Sequence, residues 1–206
     1  MVEILLIRHG ETEWNREEIF RGHTDIPLND NGRKQAKALG EYLLRWKLTD
    51  PLFMSSPLAR AYETAQLAAS NISPGSEIIK TEDFKDICFG DWEGKTLPEV
   101  ENKYPELYNL WKIEPGAVKF PGGESLDQVA LRTESALYQI ARNHRERTVV
   151  IVSHRAVNKA LLCRLLGLTS NAFWKLQQHP SCVNELGFTG SDFILISLND
   201  SCHLKR

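Results

Sequence analysis

The chain begins with a short aliphatic run that stops abruptly at charged residues. Residues 2–7 contain one acidic residue, Glu3, and are followed by Arg8-His9-Gly10-Glu11. Such a run is too short to cross a membrane and is typical of a strand buried on both faces of a parallel sheet. Ligands of open α/β sheets bind at the carboxyl ends of the strands. The run therefore predicts a buried strand that delivers Arg8 and His9 to a ligand-binding edge, with an ordinary polar loop as an equal alternative from spacing alone.

Strand and helix patterns alternate along the rest of the chain. The predicted strands are 52–54, 77–80 and 148–152, and the predicted helices are 30–47, 57–69, 125–144 and 156–166. Two late strands, 184–189 and 193–198, flank a plausible hairpin turn. The alternation predicts an α/β fold of three layers, α/β/α, with a mainly parallel central sheet and a late antiparallel addition.

The chain length and the absence of repeats or linkers favour one domain over residues 1–206. Residues 84–121 form one long excursion, irregular and rich in aromatic residues, with a short helix predicted around 106–112. Insertions of this kind often cover active sites. We expect its aromatic side chains to line the pocket, with packing in the core as an equal alternative.

The composition excludes several classes of protein. A formal net charge of −2 argues against wholesale binding to nucleic acid, which requires a clearly basic face. No segment has the length of a membrane span, and no signal peptide is recognisable, so a cytoplasmic location is expected. The four cysteines are widely spaced and are expected to be reduced thiols. His179, Cys182, Cys202 and His203 match no usual zinc spacing, so no metal site is predicted.

Three predicted strand-to-helix junctions carry similar side chains. The first delivers Arg8 and His9, the second places Arg60 in the first turn of a helix, and the third reads Ser153-His154-Arg155. Helix N-termini favour anions, and arginine binds phosphate in a bidentate manner. A lone arginine or histidine is ordinarily structural, but three such junctions in one chain predict an anion site.

Six segments, in order along the chain, resemble the histidine phosphatase superfamily in its phosphoglycerate-mutase-like branch. They are LIRHGETEWN (6–15), RGHTDIPL (21–28), SSPLARA (55–61), FGDWEG (89–94), FPGGES (120–125) and VSH (152–154). The resemblance implies a two-step phosphoryl transfer through a phosphohistidine, without metal or cofactor. It implies that His9 is the nucleophile and that Arg8, Arg60 and His154 bind the transferring phosphoryl group.

At the position of the general acid, which protonates the leaving oxygen, this chain departs from the family pattern. The family usually carries a glutamate four residues before the first glycine of the FGDWEG segment, and this chain has Asp86 there. Aspartate is shorter by one methylene. Glu82 is the competing candidate, and we favour Asp86.

Four further residues are predicted to bind substrate. By resemblance, Asn15 and the backbone of Gly22 contact phosphate. Arg21 and Arg155 replace residues that are uncharged in many relatives. We expect one of these arginines to bind a second anionic group of the substrate, such as a carboxylate. The alternative is that both face solvent or pair with acidic residues.

Among family members, the chain most resembles the small phosphatases: α-ribazole-phosphate phosphatases, broad-specificity phosphatases and metal-independent phosphoserine phosphatases. The implied partner is a small phosphorylated metabolite, and the resemblance leaves a homodimer open. A cofactor-dependent phosphoglycerate mutase is the first alternative, although its Pro-rich insertion is absent. A non-catalytic module that binds phosphorylated ligands is the second.

Overall fold

A twisted sheet of six strands forms the centre of the computed structural model, which describes residues 2–145 and 147–204. The strands are β1 (Val2–Arg8), β2 (Leu52–Ser55), β3 (Ile79–Lys80), β4 (Val149–Ser153), β5 (Val183–Phe188) and β6 (Phe193–Asp200). Their order across the sheet is β3-β2-β4-β1-β5-β6. The first four are mutually parallel, and β5 and β6 are antiparallel additions. The predicted mainly parallel sheet with a late antiparallel pair is confirmed.

Helices cover both faces of this sheet. They are α1 (Glu13–Arg16), α2 (Asp30–Leu44), α3 (Ala59–Ala69), α4 (Leu97–Lys103), α5 (Pro105–Ile113), α6 (Leu126–Asn143) and α7 (Arg155–Leu165). Alternate residues of β1 enter separate cores: Leu5 and Ile7 pack with α2 and α3, whereas Ile4 and Leu6 pack with α6 and α7. Burial on both faces explains why β1 reads as an unbroken aliphatic run. The three-layer α/β/α architecture is therefore confirmed.

The largest difference from the sequence expectation is α4, which was not predicted. Thr96 caps this helix in a reciprocal capping box with Glu99. The helix has only seven residues and buries only Val100, so it shows no helical period in the sequence. β3 is also shorter than the predicted strand 77–80.

The excursion 84–121 packs into the main core. Trp92 is fully buried and Phe120 is almost fully buried, and their ring centroids lie 5.0 Å apart. Trp92 also meets Phe20, which lies outside the excursion, at 5.0 Å. The excursion thus shares one apolar core with β1, α6 and α7. We propose that it folds with the rest of the chain as a single domain.

Two composition-based expectations can be compared with the structure. The four cysteines are free thiols, with Cys163 and Cys182 buried. Among the described residues, none of the helices has both the length and the apolar character needed to cross a bilayer.

Replacement of Trp92 tests the shared core. Because its side chain is fully buried among aromatic rings, Trp92→Ala should lower the free energy of unfolding by about 3–5 kcal/mol. Urea denaturation followed by far-UV circular dichroism measures this loss. Leu131→Ala, at a side chain that is 51% exposed on α6, is the control and should change the stability by no more than about 0.5 kcal/mol.

The same experiment tests the single domain. Tryptophan fluorescence and circular dichroism should report one coincident transition for the native chain. Two separated transitions would contradict the proposal that the excursion and the sheet unfold together.

Candidate active site

The carboxyl ends of β1, β2 and β4 meet because these strands are parallel neighbours. His9 directly follows β1, Arg60 is the second residue of α3 after β2, and His154 is the N-cap of α7 after β4. All three side chains have zero solvent exposure. The rings of His9 and His154 lie 5.2 Å apart, centroid to centroid. The structure thus brings the three predicted junctions to one point.

The ring of His9 is held in one orientation. Its Nδ1 lies 2.6 Å from the carbonyl oxygen of Gly10, so Nδ1–H must donate because a carbonyl only accepts. In the neutral ring the lone pair is then on Nε2. This Nε2 atom is buried and has no hydrogen-bond partner in the described part of the chain. His9 therefore presents an uncommitted nitrogen lone pair inside the site.

The surroundings of His9 keep its ring neutral. Burial, followed by the charges of His154 and Arg60, holds the pKa of His9 well below its usual value. Burial and the charges of Arg60 and Arg21 lower the pKa of His154 in the same direction. Protonation of either ring therefore requires a pH well below 6.5. A neutral imidazole is the nucleophilic form.

Backbone carbonyls position the two arginines that flank His9. Nη1 of Arg8 donates to the Gln178 carbonyl at 2.6 Å. Arg60 donates from Nη1 to the Thr24 carbonyl at 2.9 Å and from Nη2 to the Gly22 carbonyl at 2.8 Å. These bonds fix the guanidinium groups but do not neutralise their charges.

Several buried donors in this cluster remain unused. The Nε atoms of Arg8, Arg21 and Arg60 are buried and lack a hydrogen-bond partner among the residues described. Buried polar atoms are satisfied in the great majority of cases, so each exception requires an explanation. Arginine donors with no carboxylate partner are suited to bind a phosphate. The cluster has the properties of a preformed anion pocket.

Asp86 is the acidic residue of this pocket. Its Oδ2 accepts from Arg60 Nη2 at 2.9 Å and lies 3.4 Å from His154 Nδ1, and its side chain is almost fully buried. Glu82 is exposed instead and lies 3.6 Å from Lys85 on the surface. The geometry thus places Asp86, and not Glu82, beside His154 and Arg60.

Contacts from three sides hold the loop that carries Asp86. His23 Nε2 and Arg132 Nη2 lie 2.9 and 3.2 Å from the Asp86 carbonyl oxygen. Arg132 also forms a two-point ion pair with Glu124, which accepts the backbone N–H of Cys88 at 2.9 Å. The Asp86 carboxylate is therefore fixed by its backbone as well as by its ion pair.

Arg21 and Gly22 lie against this pocket. Arg21 is 9% exposed, and burial lowers its pKa to about 9, against the opposite effect of the Asp86 charge. Gly22 has a φ of +52°, and a Cβ there would lie 2.0 Å from Glu93 Oε1. Glycine is thus required at position 22, where its carbonyl holds Arg60.

Arg155 and Asn15 lie nearer the protein surface than the buried histidines do. Arg155 is exposed at the start of α7, and together with Asn15 it lines a cleft of about 290 Å³ beside the pocket. Neither Arg155 nor Arg21 forms a salt bridge to an acidic residue in the described structure.

Excursion residues Phe89, Tyr108 and Trp111 form part of the cleft wall. Tyr108 and Trp111 are also largely buried, so these side chains both pack in the core and line the cleft.

Some residues of the site were missed by sequence reasoning. Ser56, whose Oγ lies 2.7 Å from His154 Nε2, belongs to the segment SSPLARA, but the sequence pattern did not indicate a role for it. Gln178 anchors Arg8 through its backbone carbonyl, which any residue could supply, so no signal in the sequence marks it. Glu93 accepts the N–H groups of His23 and Phe89.

Two known phosphatases are similar to this chain in sequence. The chain is 37% identical over 204 residues to phosphoserine phosphatase 1 of Hydrogenobacter thermophilus, covering 99% of this chain and 95% of that protein. It is 34% identical over 207 residues to a metal-independent phosphoserine phosphatase of Arabidopsis thaliana, covering 100% and 84%.

A solved structure shows the same likeness. The crystal structure of a phosphoserine phosphatase mutant from Entamoeba histolytica in complex with phosphoserine superposes with a TM-score of 0.86 at 30% identity, covering 99% of this chain and 100% of that one. The family model of the histidine phosphatase superfamily (branch 1) matches residues 4–201. The chain therefore belongs to the histidine phosphatase superfamily.

Proposed function

We propose that this enzyme hydrolyses phosphomonoesters without a metal ion, by way of a phosphohistidine on His9. The observation that carries the proposal is the buried, unpartnered Nε2 of His9 among arginine donors that also lack partners. The names of its relatives, which include a metal-independent phosphatase, support hydrolysis as the reaction.

The first step transfers the phosphoryl group to His9. Nε2 attacks phosphorus while the bond from phosphorus to the alcohol oxygen breaks. Asp86, a carboxylate in the free site, takes up the proton that a phosphomonoester monoanion carries and passes it to that oxygen. The ring gains positive charge as the P–N bond forms. The hydrogen bond from Nδ1–H to the Gly10 carbonyl stabilises this charge. The alcohol then leaves.

The second step returns the enzyme to its starting state. Asp86, now a carboxylate, takes a proton from a water molecule that attacks phosphorus. The P–N bond breaks, inorganic phosphate forms, and the His9 ring regains its lone pair. Asp86 then loses its proton to the departing phosphate. In both steps Arg8 and Arg60 balance charge on the equatorial phosphoryl oxygens, and the ring of His154 is a third contact of the phosphoryl group.

The substrate is a small phosphorylated molecule, and phosphoserine is the first candidate because two relatives bear that name. Within the pocket, Asn15, Arg21 and the Gly22 backbone are assigned to the phosphoryl group, and Arg155 at the mouth is assigned to the leaving group. A cytoplasmic location and a homodimer stay predictions from the sequence.

Replacement of the nucleophile tests the proposal. His9→Asn should lower kcat for p-nitrophenyl phosphate by about 1000-fold or more, because the asparagine amide carries no comparable lone pair. The native enzyme, quenched during turnover of ³²P-labelled substrate, should carry label that is stable to base and labile to acid. His144→Asn, at the C-cap of α6, is the control and should keep both turnover and label.

A chelator completes this test. Activity should persist in excess chelator. A loss of activity that added metal ions restore would contradict the mechanism. Retained turnover in the His9→Asn variant would equally exclude a phosphohistidine at this position.

Dependence on the leaving group tests the proton donor. Asp86→Asn should reduce kcat for phosphoserine by about 100-fold or more, since a serine alkoxide leaves only with a proton. The loss should be smaller for p-nitrophenyl phosphate, whose phenolate leaves unassisted. Glu82→Gln should leave both rates as in the native enzyme. Equal losses for the two esters, or a selective loss in Glu82→Gln, would show that Asp86 is not the acid.

A further inference from the structure

A second cationic cleft adjoins the phosphate pocket. It has a volume of about 350 Å³, and its lining includes Arg8, Arg155 and Lys159. It shares Asn15, Arg155 and Trp174 with the neighbouring aromatic cleft. Because Arg8 also belongs to the phosphate pocket, the cleft and the pocket share one side chain.

Lys159 is the unexpected residue of this cleft. It lies on α7 four positions after Arg155, on the same face of the helix. The residue is 3% exposed. Its ammonium lies 4.8 Å from the ring centroid of Phe173 and 5.0 Å from that of Trp174. These rings attract the cation but supply no negative charge.

The charge of Lys159 is uncompensated in the described structure. No acidic side chain there lies within 4.0 Å of its ammonium. Burial and the charges of Arg155 and Arg8 lower its pKa to about 8. The one carboxylate in the lining of the cleft is that of Glu11, which already accepts from Asn29 at 2.9 Å.

A purely structural role does not account for a lysine here. An apolar side chain of similar length would pack against Phe173 and Trp174 without burying a charge. Placing that charge next to Arg8 and Arg155 adds repulsion between like charges. An anionic ligand in the cleft would remove both costs.

We propose that Lys159 and Arg155 bind a carboxylate of the substrate while its phosphoryl group occupies the His9 pocket. This assignment rests on the proposed phosphatase function and narrows it to one substrate class. The class is small phosphomonoesters whose alcohol carries a carboxylate a few bonds from the phosphoryl oxygen. The short separation follows from Arg8, whose side chain belongs to both the cleft and the phosphate pocket.

The test uses two ligands that differ only by a carboxylate, phosphoserine and phosphoethanolamine. Each is used as a competitor of p-nitrophenyl phosphate hydrolysis, so its inhibition constant is measurable whether or not it is itself turned over. The native enzyme should bind phosphoserine about tenfold or more tighter than phosphoethanolamine. Lys159→Met keeps the packing on the aromatic rings and should abolish most of this preference.

Two further variants separate charge from packing. Lys159→Arg retains a cation and should retain a preference for phosphoserine. Lys103→Met removes an exposed lysine that also lies over an aromatic ring, 5.2 Å from the Tyr104 centroid. It should leave the ratio of the two inhibition constants unchanged.

The outcomes distinguish this assignment from the proposed function. p-Nitrophenyl phosphate has no carboxylate, so its hydrolysis by the native enzyme tests the phosphatase function alone. If that hydrolysis occurs, equal binding of the two competitors by the native enzyme overturns the carboxylate site. Equal weakening of both competitors by Lys159→Met overturns it as well, because that result indicates a structural role.

Discussion

The buried ion pair between Asp86 and Arg60 joins the parts of the chain from which the pocket is made. Arg60 comes from the start of α3 and is tied to the carbonyls of Gly22 and Thr24, whereas Asp86 comes from the loop that opens the excursion. Asp86 supplies one negative charge to a cluster that contains the cations of Arg8, Arg21 and Arg60 beside two neutral histidines. Burying so much positive charge destabilises the folded chain, and the carbonyl anchors offset only part of this cost. A bound phosphoryl group supplies the missing negative charge.

This excess of positive charge also sets the state of the nucleophile. The cations and burial together disfavour protonation of His9, and the Gly10 carbonyl decides which ring nitrogen carries the hydrogen. The same charges that attract the substrate thus keep the attacking nitrogen free. Ligands that bind the folded pocket should stabilise the fold by mass action. Stability and catalysis therefore depend on the same arrangement of charges.

Much of this arrangement was predictable from the sequence, because it depends on strand ends. The aliphatic run of β1 and its charged end predicted a buried parallel strand, and the pairing of β1 with β4 confirmed that prediction. The convergence of His9, Arg60 and His154 follows from parallel strands sharing one edge. The resemblance to the superfamily pointed to the same positions, and the family model confirmed that the chain belongs to this family.

Other features depend on contacts that leave no local pattern. α4 is too short to show a helical period, and Gln178 contributes only a backbone carbonyl. Lys159 reads in the sequence as an ordinary polar residue of an amphipathic helix. Its burial follows from the aromatic residues of the segment Ser170–Lys175, whose packing against α7 is a tertiary event. The choice of Asp86 over Glu82 likewise needed the observed position of each carboxylate.

The protonation state of His9 tests the central claim most directly. An NMR titration of the ¹⁵N-labelled imidazole, assigned with the His9→Asn variant, measures both its pKa and its tautomer. The structure predicts a neutral ring with hydrogen on Nδ1 that does not titrate until the pH falls well below 6.5. A ring that titrates near 6.5, or one with hydrogen on Nε2, would contradict the account of a buried cationic pocket built around a free nucleophile.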